Sequence, residues 1–376
     1  MKILYTNFHA NDGGGHVTYL MNLMRHLTDV DITVATPVSS RLYRYATALS
    51  KASTQQALTV RHQTYISRIQ NMVPEVRQLR RHLRQQRYDL IHMNGSADHR
   101  HIMLACLGLT PRPALVFTKH NDHSVTSIGN RLRVRLGTDH VIAVSDYVRR
   151  LLQASSYRHK PITTIRHGID LQYFQPPSQG QRAAQRRALF GEYHHELIVL
   201  GSTGGTDFDK GWLDLVTAVG QLPWAQKRRF RIVVAGAPPN QEKRERVAAA
   251  GMLDQVIFPG LLDDVRPLFQ AFDMGFVLSY REALSYACRE ALAMGLPVLV
   301  SEVGGLPENL RHDVEGWIVP ARQPGAIVPL LLRIAEDPAQ LARMGVAARR
   351  RSEHYFDLAT FVEATRDVYR QALARR

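Results

Sequence analysis

Cysteine is scarce: only Cys106 and Cys288 occur in 376 residues, far apart and without a CxxC or Cys/His finger spacing. That argues against a disulfide scaffold or a cysteine zinc site, and makes a reducing cytoplasm the natural compartment. No apolar run approaches the roughly 20 residues that span a bilayer. Ala291 to Val300 is among the longest, and Gly295 and Pro297 already break it. The N-terminus turns polar at Thr6-Asn7 after Ile3-Leu4-Tyr5, which suits a short buried strand rather than a signal peptide. Acidic residues are outnumbered, 33 Asp+Glu against 48 Lys+Arg, for a net charge of +15. The excess is uneven: residues 1–170 hold 23 basic and 10 acidic residues, or +13, and the remainder holds 25 and 23, or +2. A basic first half suggests an anionic partner, and nucleic acid, anionic lipid or a phosphorylated substrate would each satisfy it.

What is present is an alternation of short apolar runs with helical patterns. Expected strands are Lys2–Tyr5, Asp31–Ala35, Leu90–Met93, Leu115–Thr118, Val141–Val144 and Ile162–Ile165. A second series follows at Leu197–Leu200, Ile232–Ala235, Val256–Phe258, Met274–Leu278, Pro297–Val300 and Gly316–Val319. Helical patterns such as Val17–Leu27, Pro74–Arg87, Gly211–Val219 and Ser285–Met294 lie between them. This alternation predicts α/β folding with right-handed βαβ units and parallel sheets covered on both faces. The length exceeds what one core usually serves. The Pro/Gly-containing stretch Gln175–Gln181 therefore reads as a linker between domains at 1–175 and 182–357. Residues 358–376 read as a helix with Phe361, Val362, Val368 and Tyr369 on one stripe, available to pack back on the first domain. Two doubly wound domains in series would place a cleft between the carboxyl ends of two sheets.

The strongest chemical signal is the segment from Ser279 to Val298. Glu282 falls in the loop after an expected strand, and Glu290 lies eight positions later inside an expected helix. Eight helical residues span about 12 Å, enough to set two carboxylates at opposite ends of a nucleotide-sugar. A carboxylate accepts paired sugar or ribose hydroxyls. The N–H groups of Ala283, Leu284 and Ser285 at a helix start suit a diphosphate between them. Two solvated glutamates flanking a helix remain the plain alternative.

This segment resembles the Glu-x₇-Glu signature of glycosyltransferase family 4, retaining transferases with the GT-B fold of two Rossmann-like domains facing a cleft. Ala283-Leu284-Ser285 stands where the family has Gly-Phe-Gly, and Glu290-Ala291-Leu292-Ala293-Met294-Gly295-Leu296-Pro297-Val298 follows the family's continuation. The resemblance implies that Glu282 holds donor-sugar hydroxyls and Glu290 the ribose. It extends along nearly the whole chain. Asp12-Gly13-Gly14-Gly15-His16 follows the first strand, and similar enzymes bring this loop near the donor phosphates, through Gly14 and Gly15 here. His16 itself reads as a helix cap or surface residue. His120, after the strand Leu115–Thr118, matches the family's histidine that contacts the transferred sugar. Lys210, before Gly211, matches the lysine that grips the diphosphate, but the family's preceding arginine is missing, since no Arg lies between Leu197 and Lys210. Arg281 or the backbone of residues 202–206 are the candidates to compensate. Arg166-His167-Gly168-Ile169-Asp170 resembles the family's Asn-Gly-Val-Asp turn and reads as structural.

These readings give a glycosyltransferase that uses a nucleotide-sugar such as a UDP- or GDP-sugar and acts on a glycan or lipid-linked acceptor in cell-surface polysaccharide or lipopolysaccharide assembly. No cofactor is expected. No metal is expected either: His92, His99, His101, His120 and His123 lack an accompanying carboxylate pattern. The helix Pro74–Arg87 places Arg77, Arg80, Arg81 and Arg84 on one polar face, with Arg87 at its end. This face is either solvated or meets an anionic membrane, so the expected location is cytoplasmic, with peripheral attachment to the inner face of the membrane as one option. No nucleic-acid recognition motif accompanies the charge. A nucleotide-sugar epimerase of similar architecture and a basic binding protein without catalysis are the alternatives.

Overall fold

The computed structural model describes residues 1–10, 14–52, 59–65, 68–191 and 196–375. Asp12 and Gly13 of the expected glycine loop lie outside the described residues. The chain divides into two units, one of Met1–Gly168 with Leu358–Arg376 and one of Ile169–Asp357.

The first unit holds β1 (Lys2–Thr6), β2 (Asp31–Thr36), β3 (Thr59–Thr64), β4 (Leu90–Met93), β5 (Ala114–Lys119), β6 (His140–Ala143) and β7 (Ile162–Thr164). All pair in parallel, in the order β3-β2-β1-β4-β5-β6-β7. β1, β4 and β5 are covered on both faces, so they read as unbroken apolar runs: Ile3, Leu4, Leu90, Ile91, Leu115 and Val116 are fully buried. β3 was not expected from sequence. Its segment Thr59-Val60-Arg61-His62-Gln63-Thr64 lies at the sheet edge, and a strand covered on fewer sides carries no apolar run. The helix Leu358–Ala374 belongs to this unit and buries Phe361, Val362, Val368 and Tyr369. Its Tyr369 hydroxyl meets the Tyr5 hydroxyl at 3.2 Å and His92 Nδ1 at 2.7 Å.

The second unit holds β8 (Ile198–Ser202), β9 (Phe230–Val234), β10 (Val256–Ile257), β11 (Met274–Val277), β12 (Val298–Ser301) and β13 (Gly316–Val319) in the parallel order β10-β9-β8-β11-β12-β13. Trp212, Phe230, Phe276 and Trp317 anchor its core. In each sheet the strand order reverses once, between β1 and β4 and between β8 and β11. The carboxyl ends at those reversals are where open α/β sheets take ligands.

Two expectations are corrected here. The chain passes between units at Gly168 and Ile169, and Gln175–Gln181 is not a free linker. Ser178 and Gln181 form a reciprocal capping box that starts the helix Gln179–Phe190 inside the second unit. The arginines of the helix Met72–Gln86 do not share one solvated role. Arg80 donates to the Ala105 carbonyl at 3.1 Å and to the Leu107 carbonyl, closing the end of the helix Ser96–Cys106. Arg87 stands outside the helix in the left-handed region at φ 51° and ends it. Arg77, Arg81 and Arg84 are exposed. Among the described residues, no helix is long and apolar enough to cross a membrane.

Candidate functional site

In the second unit, the switch between β8 and β11 is built by two loops locked to each other. After β8 the chain runs through Thr206, whose hydroxyl donates to the Ala237 carbonyl at 2.5 Å and whose carbonyl accepts from Trp212 Nε1 at 3.0 Å. It then turns at Gly211, in the left-handed region at φ 63°. A Cβ on Gly211 would lie 1.9 Å from the Leu278 carbonyl oxygen, so only glycine lets this turn lie against the chain leaving β11. Tyr280 N–H donates to the Asp209 carbonyl at 2.8 Å and fastens the same two segments. The result brings Lys210 Nζ to 3.3 Å from Glu282 Oε2. Their side chains keep 34% and 20% exposure, so both groups remain open to a ligand. Gly211→Ala is accordingly expected to lower the melting temperature, by roughly the 1–3 kcal/mol typical of forced backbone strain, and to weaken nucleotide binding. Thermal melts with and without UDP check both outcomes.

The turn from Ala283 to Ser285 is held by the residues behind it. Ser285 sits at φ 82°, a conformation that side chains rarely adopt, and its hydroxyl caps the helix Tyr286–Ala293 by accepting from Cys288 N–H at 3.3 Å. Asn309 Nδ2 donates to the carbonyls of Leu284 at 2.6 Å and Leu306 at 3.1 Å, and Asn309 Oδ1 accepts from buried Arg289 Nε at 2.9 Å. Gly305 N–H donates to the Glu282 carbonyl at 3.1 Å. The Ala283 and Leu284 side chains are buried, so what these residues offer a ligand is backbone. Glu290 is half-buried in the same helix. The structure therefore brings Lys210, Glu282 and the 283–285 turn together, with Glu290 on the helix that follows. Sequence reasoning missed Asn309, whose partners Leu284 and Arg289 lie 25 and 20 residues away along the chain. Near the place of the missing arginine, Lys243 Nζ and Arg246 Cζ lie 5.0 Å and 4.9 Å from the centre of the Phe208 ring. Arg281 is exposed.

In the first unit, His120 follows β5. Asn94, just past β4, directs its Nδ2 to the carbonyls of Thr6 and His92, each at 3.4 Å, so its Oδ1 faces His120. His120 Nε2 donates to that oxygen over 2.9 Å. Burial holds the His120 imidazole well below its usual pKa, and the neighbouring His167, His16, His92 and His9 add to the effect. Tyr19 stands edge-on to His120 with centroids 4.8 Å apart, and His167 lies 6.1 Å away. His16 is not a surface residue or cap. Its ring lies 4.0 Å from that of His9 and 6.3 Å from His120, and burial pushes its pKa down to about 3. Gly14 is the residue before the helix Gly15–His26, at φ 118° with space for no Cβ beside His16. Three further histidines serve the fold: His92 is sealed between Tyr369 and Thr118, His99 meets the Gly137 carbonyl at 2.9 Å, and His101 pairs with Glu75 at 3.1 Å, while His123 is exposed. Among the described residues, no three His, Cys, Asp or Glu side chains are grouped to hold a metal ion.

Residues 192–351 match the family model described as glycosyl transferases group 1, and residues 13–173 match that of glycosyltransferase family 4. The chain belongs to the family 4 glycosyltransferases. This family 4 chain is 33% identical over 224 residues to a D-inositol 3-phosphate glycosyltransferase of Streptomyces bingchenggensis, covering 56% of this chain and 48% of that one. It thus spans about half the length of that relative. It is 28% identical to the lipopolysaccharide core biosynthesis mannosyltransferase LpsB of Rhizobium meliloti, over 68% of this chain and 71% of that one. Among solved structures, Anabaena Alr3699/HepE in complex with UDP and glucose superposes with a TM-score of 0.82 at 21% identity, covering 98% of both chains. WaaG, a glycosyltransferase involved in lipopolysaccharide biosynthesis, superposes with a TM-score of 0.71 at 15% identity, over 98% of this chain and 99% of that one. These likenesses establish the GT-B fold of the family 4 chain.

Proposed function

We infer that the chain is a retaining glycosyltransferase that moves a sugar from a UDP- or GDP-sugar to a hydroxyl of a glycan or lipid-linked acceptor, in cell-surface polysaccharide or lipopolysaccharide assembly. The observation that carries this reading is the Lys210–Glu282 pair, a cation and a double acceptor 3.3 Å apart at the carboxyl ends of β8 and β11. Lys210 and the backbone of residues 283–285 would hold the diphosphate as it gains charge on leaving. Glu282 would accept from the donor-sugar hydroxyls, Glu290 from the ribose, and His120 would contact the transferred sugar. Gly14 and Gly15 would leave room for the donor phosphates. The acceptor oxygen forms the new bond to the anomeric carbon, the carbon–phosphate-oxygen bond breaks, and the acceptor's proton passes to the departing phosphate. The complex of HepE with UDP and glucose and the names of LpsB and WaaG support the donor and acceptor classes. The setting we infer is the cytoplasm, with peripheral attachment to an anionic membrane through the basic first half. A donor panel read by mass spectrometry tests the function. Transfer to an acceptor, or slow release of free sugar with a nucleoside diphosphate, is expected with one of the UDP- or GDP-sugars. Conversion of the donor into an epimer would replace the reading with an epimerase. Failure of both UDP and GDP to raise the melting temperature would leave a non-catalytic basic binding protein.

A further inference from the structure

The helix Ile128–Gly137 presents apolar residues on the side away from the fold. Its inward face is complete: Asn130, Val134 and Gly137 are buried, and a Cβ on Gly137 would sit 2.8 Å from Met103 of the helix Ser96–Cys106. Ser127 caps its start by accepting from Asn130 N–H. Ile128, Leu132 and Leu136 lie off that buried face and are 75%, 49% and 40% exposed. At 3.6 residues per turn they fall within an arc of about 80° opposite the buried face, one continuous stripe rather than scattered contacts. Arg131 and Arg135 are exposed along its flank, and no acidic residue lies between 128 and 137. Scattered exposed leucines need no explanation, but an aligned stripe edged with arginines does.

A second feature points the same way. The helix Met72–Gln86 packs on the same 96–106 helix. At its start Ile69 and Val73 are 67% and 57% exposed, and Arg77, Arg81 and Arg84 are exposed along it. Two neighbours of one helix thus show apolar side chains beside uncompensated arginines, within residues 1–170 of net charge +13. A second copy of the chain would set arginine against arginine. An anionic bilayer matches both features, because apolar side chains enter the acyl boundary while arginines meet the headgroups.

We propose that the stripe Ile128, Leu132 and Leu136, with Arg131 and Arg135, docks the first unit on an anionic lipid bilayer. The helix starts eight residues after His120, at the carboxyl edge of the sheet, so docking by this end brings that edge to the headgroup level, where a lipid-linked acceptor carries its sugar. The use of the surface rests on the transferase reading, but its binding does not, so the two can fail separately. Co-sedimentation with phosphatidylglycerol/phosphatidylcholine vesicles at low salt reads the binding directly. The full chain should bind these vesicles, bind pure phosphatidylcholine far less, and release in high salt. I128Q/L132Q/L136Q, which keeps helix propensity at exposed positions, should reduce vesicle binding at least tenfold with melting temperature and donor hydrolysis unchanged. R131Q/R135Q should reduce it several-fold. The proposal is overturned if the wild-type chain ignores anionic vesicles at low salt, or if the triple variant still binds them. A triple variant that alters sedimentation as a dimer while vesicle binding persists would assign the stripe to a second copy instead.

Discussion

Lys210→Ala is expected to weaken nucleoside-diphosphate binding at least tenfold, about 1.4 kcal/mol, while nucleoside-monophosphate binding changes much less. The ammonium would face the outer phosphate, which only the diphosphate possesses. Calorimetry with UDP and UMP, or GDP and GMP, separates the cases, and equal losses for both ligands would remove Lys210 from the phosphate site. The variant has a second consequence, since Lys210 Nζ is 3.3 Å from Glu282 Oε2 and its loss strips a half-buried carboxylate of that cation. Glu282→Gln supplies the control: it removes the charge but keeps the shape and the backbone bond from Gly305. Glu282→Gln and Glu290→Gln should each lower transfer at least tenfold without lowering the melting temperature, because their changes bear on bound hydroxyls rather than on packing. Wild-type turnover in either variant would take that glutamate out of the site.

Which parts of this molecule were legible in the chain depended on how local their cause is. Strands such as β5 and β12 are buried on both faces, so burial itself writes Val, Leu and Phe into consecutive positions. β3 lies at the sheet edge and shows only Val60 among threonines, arginine, histidine and glutamine. Glu282 and Glu290 stand out as candidates because their spacing to a strand end and a helix start is short, and Lys210 because it matches the family's lysine before Gly211. The residues that hold them do not. Asn309 reaches back to Leu284 and Arg289, and Asn94 just past β4 fixes His120 just past β5, each through a contact made only by folding. His16 looked like a surface residue because nothing along the sequence reveals that His9 and His120 close over it. The helix beginning at Gln179 is a different case. Its Ser178–Gln181 box is entirely local, but the prolines before it carry the composition of a linker as well. Arg80 shows the same limit for charge, since helical spacing places it beside Arg77 and Arg84 but not against the carbonyls that end the neighbouring helix.

Acidification toward pH 5 is expected to destabilise the first unit while leaving the second folded. Burial drives the pKa of His16, His92 and His99 down to about 3 from 6.5. As pH falls below 6.5 the unfolded chain takes up protons that these folded imidazoles refuse, so their contribution to stability is present above that pH and is lost down to about pH 3. Buried Asp98 acts in the opposite sense: its raised pKa lets the folded state hold a proton, which favours folding as pH falls. Those three imidazoles, with His120 lowered in the same direction, outnumber the one carboxyl, so unfolding takes up protons and the first unit loses stability as pH falls toward 5. Among the described residues the second unit has no buried histidine, and its lowered carboxylates Asp264, Asp313 and Glu315 give up their contribution only as pH falls below their usual values near 4. The chain supplies a separate reporter, because Trp212, Trp224 and Trp317 all lie in the second unit. Tryptophan emission should therefore hold its native position at pH 5, while hydrogen exchange read by mass spectrometry shows β1, β4 and β5 losing protection first. Loss of protection in both units at one pH, or a shift of tryptophan emission ahead of exchange in β1, would show that the buried histidines do not set the acid limit of the first unit.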